Sequence, residues 1–278
     1  MIDTRTALQA RILAAVTADD RVVGCLDYGS TSEGRGDQWS DLDLALFVRD
    51  ADLAQFEADW KTWAAQFGEL LLAYVGGIGH PWVTYAADPM PMRVDFSFHA
   101  ASSMETVMRS LPNAPISAEM MVLYDATSGQ LTALAGELVG QSQAPADLRV
   151  AFDQISGDLW TYFQRTHVRL LREEIWCARH EFNFIIMGNL FALLRIESGK
   201  VDRMRAASAA ARIEQEIAPG RLAQLDGCIP GPTAADLLAA LHAAALLTQE
   251  VSAAISARHD WPWPSRLAEQ IIPLFSID

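Results

Sequence analysis

The 278-residue chain has little cysteine, little basic charge and no long apolar run, and each shortage excludes a class of protein. Its three cysteines, Cys25, Cys177 and Cys228, are odd in number, far apart and in no metal-ligand spacing, so they read as reduced, packed thiols. Lys and Arg number 21 against 35 Asp and Glu, a net charge of −14 concentrated in the first half. Affinity for extended nucleic acid rests on cationic contacts to phosphates, so no such partner is expected. The longest apolar stretches, such as Phe182 to Leu194, are too short to span a bilayer, and no membrane partner is expected either. Asp3, Arg5, Arg11, Asp19 and Asp20 interrupt any apolar core of a secretory signal. The expected location is the cytoplasm. Internal repeats, low-complexity tracts and flexible linkers are absent as well.

What remains is a globular composition, 51% hydrophobic and 20% charged, in a length that suits two domains. Residues 1–143 alternate between helical and strand patterns. A helix is expected at Ala7–Val16 and strands at Val22–Tyr28 and Asp41–Val48. A helix over Ala51–Phe67 and strands at Leu70–Val75, Trp82–Ala86 and Arg93–Phe98 follow. An apolar run from Met120 to Tyr124 and a helix over Gln130–Leu138 complete this half. Residues 144–278 change to Ala- and Leu-rich helical periodicity, with Thr233 or Ala234 starting a new helix. The expected fold is α+β: a mixed-sheet domain, then a helical bundle. Trp261-Pro262-Trp263-Pro264 reads as an extended strap on that bundle.

The stretch "LDYGSTSEGRGDQWSDLDLALFV", residues 26 to 48, carries the chemistry. Side chains alternate along a strand, so Asp41 and Asp43 share one face while Leu42 and Leu44 enter a core. At about 4 Å and an effective dielectric near 20, two such charges repel by roughly 4 kcal/mol, which a marginally stable domain must offset. A divalent cation does so, and carboxylate oxygens suit a hard ion such as Mg²⁺ that is shared with substrate phosphates. Directly after the first strand, Gly29 permits close backbone approach to a phosphate, and Ser30 and Ser32 add hydroxyl donors.

The complete pattern is an apolar residue, Gly29, Ser30, ten residues, then Asp41, an apolar residue and Asp43. It resembles the signature of the nucleotidyltransferase superfamily that includes DNA polymerase β. The resemblance implies a polymerase β-like catalytic domain in which the Gly29-Ser30 region holds a nucleoside triphosphate. It further implies that Asp41 and Asp43 bind two Mg²⁺ ions and that Asp95, in "MRVDFSF", is the third carboxylate. "YGS", "EGRGD" and "SD" here look like motifs of the bacterial lincosamide and aminoglycoside antibiotic nucleotidyltransferases, as does "YDATSGQL" at 124–131. That likeness implies transfer of a nucleoside monophosphate, AMP from ATP, to a hydroxyl of a small molecule. An acceptor hydroxyl would attack the α-phosphorus in line, pyrophosphate would leave, and Asp95 would be a candidate proton acceptor. Transfer to a protein or nucleic-acid end and a catalytically silent nucleotide-binding module are the alternatives. A homodimer is left open.

On a continuous helix Arg165, Arg169, Arg172, Trp176 and Arg179 would form one basic stripe, which makes Arg169 and Arg172 candidate triphosphate contacts. A solvated face paired with Glu173 is the competing reading. Trp82 and Tyr85 are weighed as base- or sugar-stacking residues against core packing. His99, four residues after Asp95, would lie on the same face.

Overall fold

The protein is seen as a computed structural model, which describes residues 4–77, 79–111, 114–141, 144–204 and 209–276. It divides into two compact units, Met1–Ser142 and Gln143–Asp278. Residue 143, the last of the expected first domain, lies outside the described residues.

In the first unit one sheet contains β1 (Val22–Asp27), β2 (Leu42–Val48), β3 (Leu70–Val75), β4 (Pro81–Tyr85), β5 (Met92–Ala100) and β6 (Val122–Asp125). Their order is β3-β4-β5-β2-β1-β6, and the sheet is mixed because β2 and β5 alone run parallel. Strand alternation decides what each face does. Leu42, Leu44, Leu46, Val94 and Phe96 pack against Leu8 and Ile12 of α1 (Arg5–Ala18) and Phe56 and Trp63 of α2 (Leu53–Ala64). Each fully buried side chain of this kind contributes about 1.5–3 kcal/mol, so a one-residue slip of β2 would be prohibitive. On the opposite face Ala45 and Phe47 meet Met104 and Met108 of α3 (Met104–Ser110). That core also contains Met121 of α4 (Ala118–Met121) and Leu131 and Ala135 of α5 (Gln130–Leu138). The apolar run from Met120 to Tyr124 spans the end of α4 and most of β6; the Ser117 side chain accepts the Met120 N–H and caps that single helical turn.

The second unit is a helical bundle built on α6 (Leu148–Leu171), α7 (Ile175–Glu181), α8 (Met187–Ser198) and the helix Ala234–His259. Phe152, Trp160, Phe163, Leu193, Leu241 and Val251 are among its core residues. Thr233 is the N-cap of the last of these helices, in a reciprocal capping box with Asp236. At 26 residues that helix is long and apolar enough to cross a bilayer, contrary to the expectation that no stretch would be. Half of its most apolar window is buried, as befits a bundle's central helix. Trp261 and Trp263 pack beside Phe152 and Trp160.

The continuous helix expected through Arg165–Arg179 is broken. α6 ends at Leu171, Glu173 takes a left-handed φ of 59°, and the Glu174 N–H returns to the Arg169 carbonyl at 2.9 Å before α7 starts. α7 then passes through one π turn, Phe182–Ile186, into α8.

Candidate active site

The sheet register assembles the site. Asp43 on β2 lies opposite Asp95 on β5, Asp95 lies opposite Trp82 on β4, and Trp82 lies opposite Tyr74 on β3. Asp41 stands one residue before β2 and two before Asp43, hence on the same side. One oxygen from each of Asp41, Asp43 and Asp95 falls within 4.8 Å of the others. The row sits at the start of β2, short of Ala45 and Phe47, which are buried in the core formed with α3 and α5.

Burial, followed by the charges of Asp41 and Asp95, pushes the Asp43 carboxyl up to about 7. Asp95 is raised as well, chiefly by burial. Arg93, two residues earlier on β5, forms ion pairs with Asp41 and, at 2.9 Å, with Asp95 Oδ1. That Asp95 oxygen is nevertheless buried with no directed hydrogen bond. The residues therefore fit a divalent cation: the donors are all carboxylate oxygens, and both Asp43 and Asp95 carry charge that the protein compensates incompletely.

Gly29 and Ser30 form the turn after β1. A Cβ on Gly29 would lie 2.0 Å from Asp43 Oδ2 and 2.9 Å from Asp43 Cβ, so the turn can lie against this carboxylate only without a side chain. The Ser30 hydroxyl is 3.3 Å from that of Ser40. Ser32 is fully buried and donates to the Gly29 carbonyl at 2.8 Å, holding the turn from beneath. Two further residues hold it that sequence reasoning missed. Asp27, buried at the end of β1, accepts the Gly29 N–H at 2.9 Å. Arg5 reaches Asp27, the Thr31 hydroxyl and the Asp41 carbonyl at 3.2, 2.7 and 3.1 Å. Only the Asp-x-Gly spacing, an Asx-turn pattern, could have announced Asp27.

Of the two aromatics weighed on β4, Tyr85 is core, its hydroxyl donating to the Ala64 carbonyl at 2.9 Å. Trp82 stands in the acid row with its indole N–H buried and unpaired. His99 lies on the Asp95 face of β5, its ring 5.8 Å from that of Phe47. Arg169 and Arg172 belong to the second unit. Arg169 is ion-paired with Glu174 and, at 3.6 Å, with buried Glu181, which Arg165 also meets at 2.8 Å. Arg172 closes α6 through its backbone N–H.

The raised Asp43 carboxyl has a measurable consequence in metal-free protein. A carboxyl with its folded pKa near 7 and its unfolded value near 3.8 favours folding fully below the unfolded value, and this contribution is lost as pH rises through 7. Melting temperature in chelator is expected to fall between pH 4 and pH 7 in the parent and to fall less in Asp43→Asn. Parallel profiles would show that Asp43 titrates as an ordinary surface acid.

A mixed sheet with a Gly-Ser turn at the end of one strand and three carboxylates converging from two others defines a nucleotidyltransferase of the polymerase β type, an enzyme of phosphorus-group transfer. The family model described as streptomycin adenylyltransferase matches residues 2–275, and the chain belongs to this family. Among solved structures it is similar to an aminoglycoside 6-adenyltransferase from Bacillus subtilis at 14% identity and a TM-score of 0.45, covering 98% of this chain and 97% of that one. A nucleotidyltransferase-like protein from Exiguobacterium sibiricum 255-15 is similar at 15% identity and a TM-score of 0.36, with 97% and 87% covered. No curated protein matches the chain.

Proposed function

We propose that the protein transfers AMP from ATP, with Mg²⁺, to a hydroxyl group of a small molecule of the aminoglycoside or lincosamide kind. The observation that carries this reading is the convergence of Asp41, Asp43 and Asp95 within 4.8 Å in a chain of this family. In the proposed reaction the acceptor oxygen bonds to the α-phosphorus as the bond to the bridging oxygen of pyrophosphate breaks, and Asp95 takes the hydroxyl proton. Bound Mg²⁺ would be held by Asp41, Asp43 and Asp95 and would supply charge neutralisation and an acidified hydroxyl. Gly29 presents backbone and Ser30 its hydroxyl to the triphosphate, while Asp27, Arg5 and Ser32 fix their turn. The three free cysteines are in keeping with a cytoplasmic setting.

Pyrophosphate release, measured with each of the four ribonucleoside triphosphates against a panel of hydroxylated antibiotics, tests the reading. ATP-selective release that depends on one acceptor class supports it, and release that ignores the acceptor counts against it.

The proposal extends to Arg169 and Arg172 as triphosphate contacts. A charge-assisted phosphate contact is worth about 1.5–3 kcal/mol, so Arg169→Ala is expected to lower kcat/KM for ATP roughly tenfold to a hundredfold. Parental kinetics in Arg169→Ala and Arg172→Ala would confine Arg169 to its pairs with Glu174 and Glu181.

A further inference from the structure

We propose that Arg93 is an exchangeable counter-ion: it neutralises the acid row when no metal is bound, yields its oxygens to the metal, and then binds the triphosphate. The inference rests on the metal-dependent nucleotidyl transfer proposed above and adds a role for a residue that sequence reasoning passed over.

Arg93 stands on β5 within reach of both Asp41 and Asp95. It precedes Asp95 by two residues and so shares its face, and its guanidinium ion-pairs with both Asp41 and Asp95. The guanidinium carbon stands 5.5 Å from the centre of the Trp82 ring, a cation–π contact that holds it over the row. Part of the repulsion among these carboxylates is thus relieved by the protein itself.

This arrangement competes with a bound metal. A divalent ion would draw on the same two carboxylates that Arg93 engages, and two cations on one small cluster repel. The contact is also made to be broken. The Arg93 side chain is 49% exposed, and its approach to Asp95 Oδ1 leaves that oxygen without a directed hydrogen bond. It lines an open cavity of about 280 Å³ together with Trp39, Ser40, Asp41 and Met90, which gives the guanidinium room to turn. Once released it needs another anion. Phosphate oxygens match its planar fork as a carboxylate does. Metal binding alone therefore works against the Arg93 pairs, whereas metal with triphosphate replaces them, and Arg93 makes the two ligands cooperative.

The test is Mn²⁺ affinity, read by electron paramagnetic resonance with and without α,β-methylene-ATP. Arg93→Ala is expected to bind Mn²⁺ alone about tenfold to a hundredfold more tightly than the parent, one charged contact having been removed from competition. The enhancement of Mn²⁺ affinity by the nucleotide analogue is expected to shrink by a similar factor. Unchanged or weaker Mn²⁺ binding in Arg93→Ala, or a full nucleotide enhancement, overturns the proposal. Metal-free melting curves check folding, and Arg93→Gln, with nearly the same volume, is measured alongside and must show the same pattern. Asp43→Asn separates the two levels of the account. If it leaves parental Mn²⁺ binding intact, the metal site and the Arg93 proposal both fall. If it abolishes binding while neither Arg93 variant alters it, the Arg93 proposal alone falls.

Discussion

Asp43→Asn is expected to reduce transfer about a thousandfold or more while metal-free protein melts at the same or a higher temperature. A factor of that size corresponds to about 4 kcal/mol of transition-state stabilisation, a reasonable share for a residue that holds the charge-neutralising ion. Stability moves the other way because Asp43 is half-buried among like charges and gains from becoming neutral. Asp41→Asn should be equally inactive without that gain in stability. The acid it removes is the one that Arg93 already neutralises, so the guanidinium loses a partner. From sequence the two aspartates look equivalent, and burial and the position of Arg93 separate them. Activity within threefold of the parent in both variants, at saturating Mg²⁺ and ATP, would remove these acids from the chemistry.

Gly29→Ala is expected to be nearly as damaging, although it changes no charge. The new methyl would overlap Asp43 Oδ2, so either the carboxylate leaves the row or the turn lifts away from it. Overpacking of this kind costs about 1–3 kcal/mol in stability. The larger loss is functional: Mn²⁺ affinity and kcat/KM should each fall about a hundredfold, because metal ligands tolerate little misplacement. Gly157→Ala in α6 is the control, since a Cβ there meets nothing within 4 Å. A fully active Gly29→Ala would show that the close approach of Gly29 to Asp43 is incidental.

The acids were legible because their defect is local. Two aspartates on either side of Leu42, and a third between Val94 and Phe96, are costly wherever the strands lie, so their placement asks for a cation. The residues that serve them were not legible, because register and long-range contact are not local properties. Nothing in "PWVTY" says that Trp82 rather than Tyr85 faces Asp95; the pairing of β4 with β5 decides it. Arg93 looks like any exposed arginine on a strand, and Arg5 lies 36 residues from the carbonyl of Asp41 that it holds. The break in the helix that carries the basic stripe was hidden for a different reason. "LLREEIW" contains no glycine or proline, yet Glu173 adopts the left-handed conformation and ends the helix, so periodicity carried the pattern past a break that composition does not mark.

The central claim is that the three aspartates serve transfer of a nucleotide rather than of a phosphate, and the fate of labelled ATP decides it. With ATP labelled at the α- or the γ-phosphorus, Mg²⁺ and a panel of aminoglycosides and lincosamides, the account predicts α-label in the modified acceptor and γ-label in pyrophosphate. It also predicts neither transfer in Asp43→Asn. γ-Label in the acceptor, or transfer that survives Asp43→Asn, would contradict it.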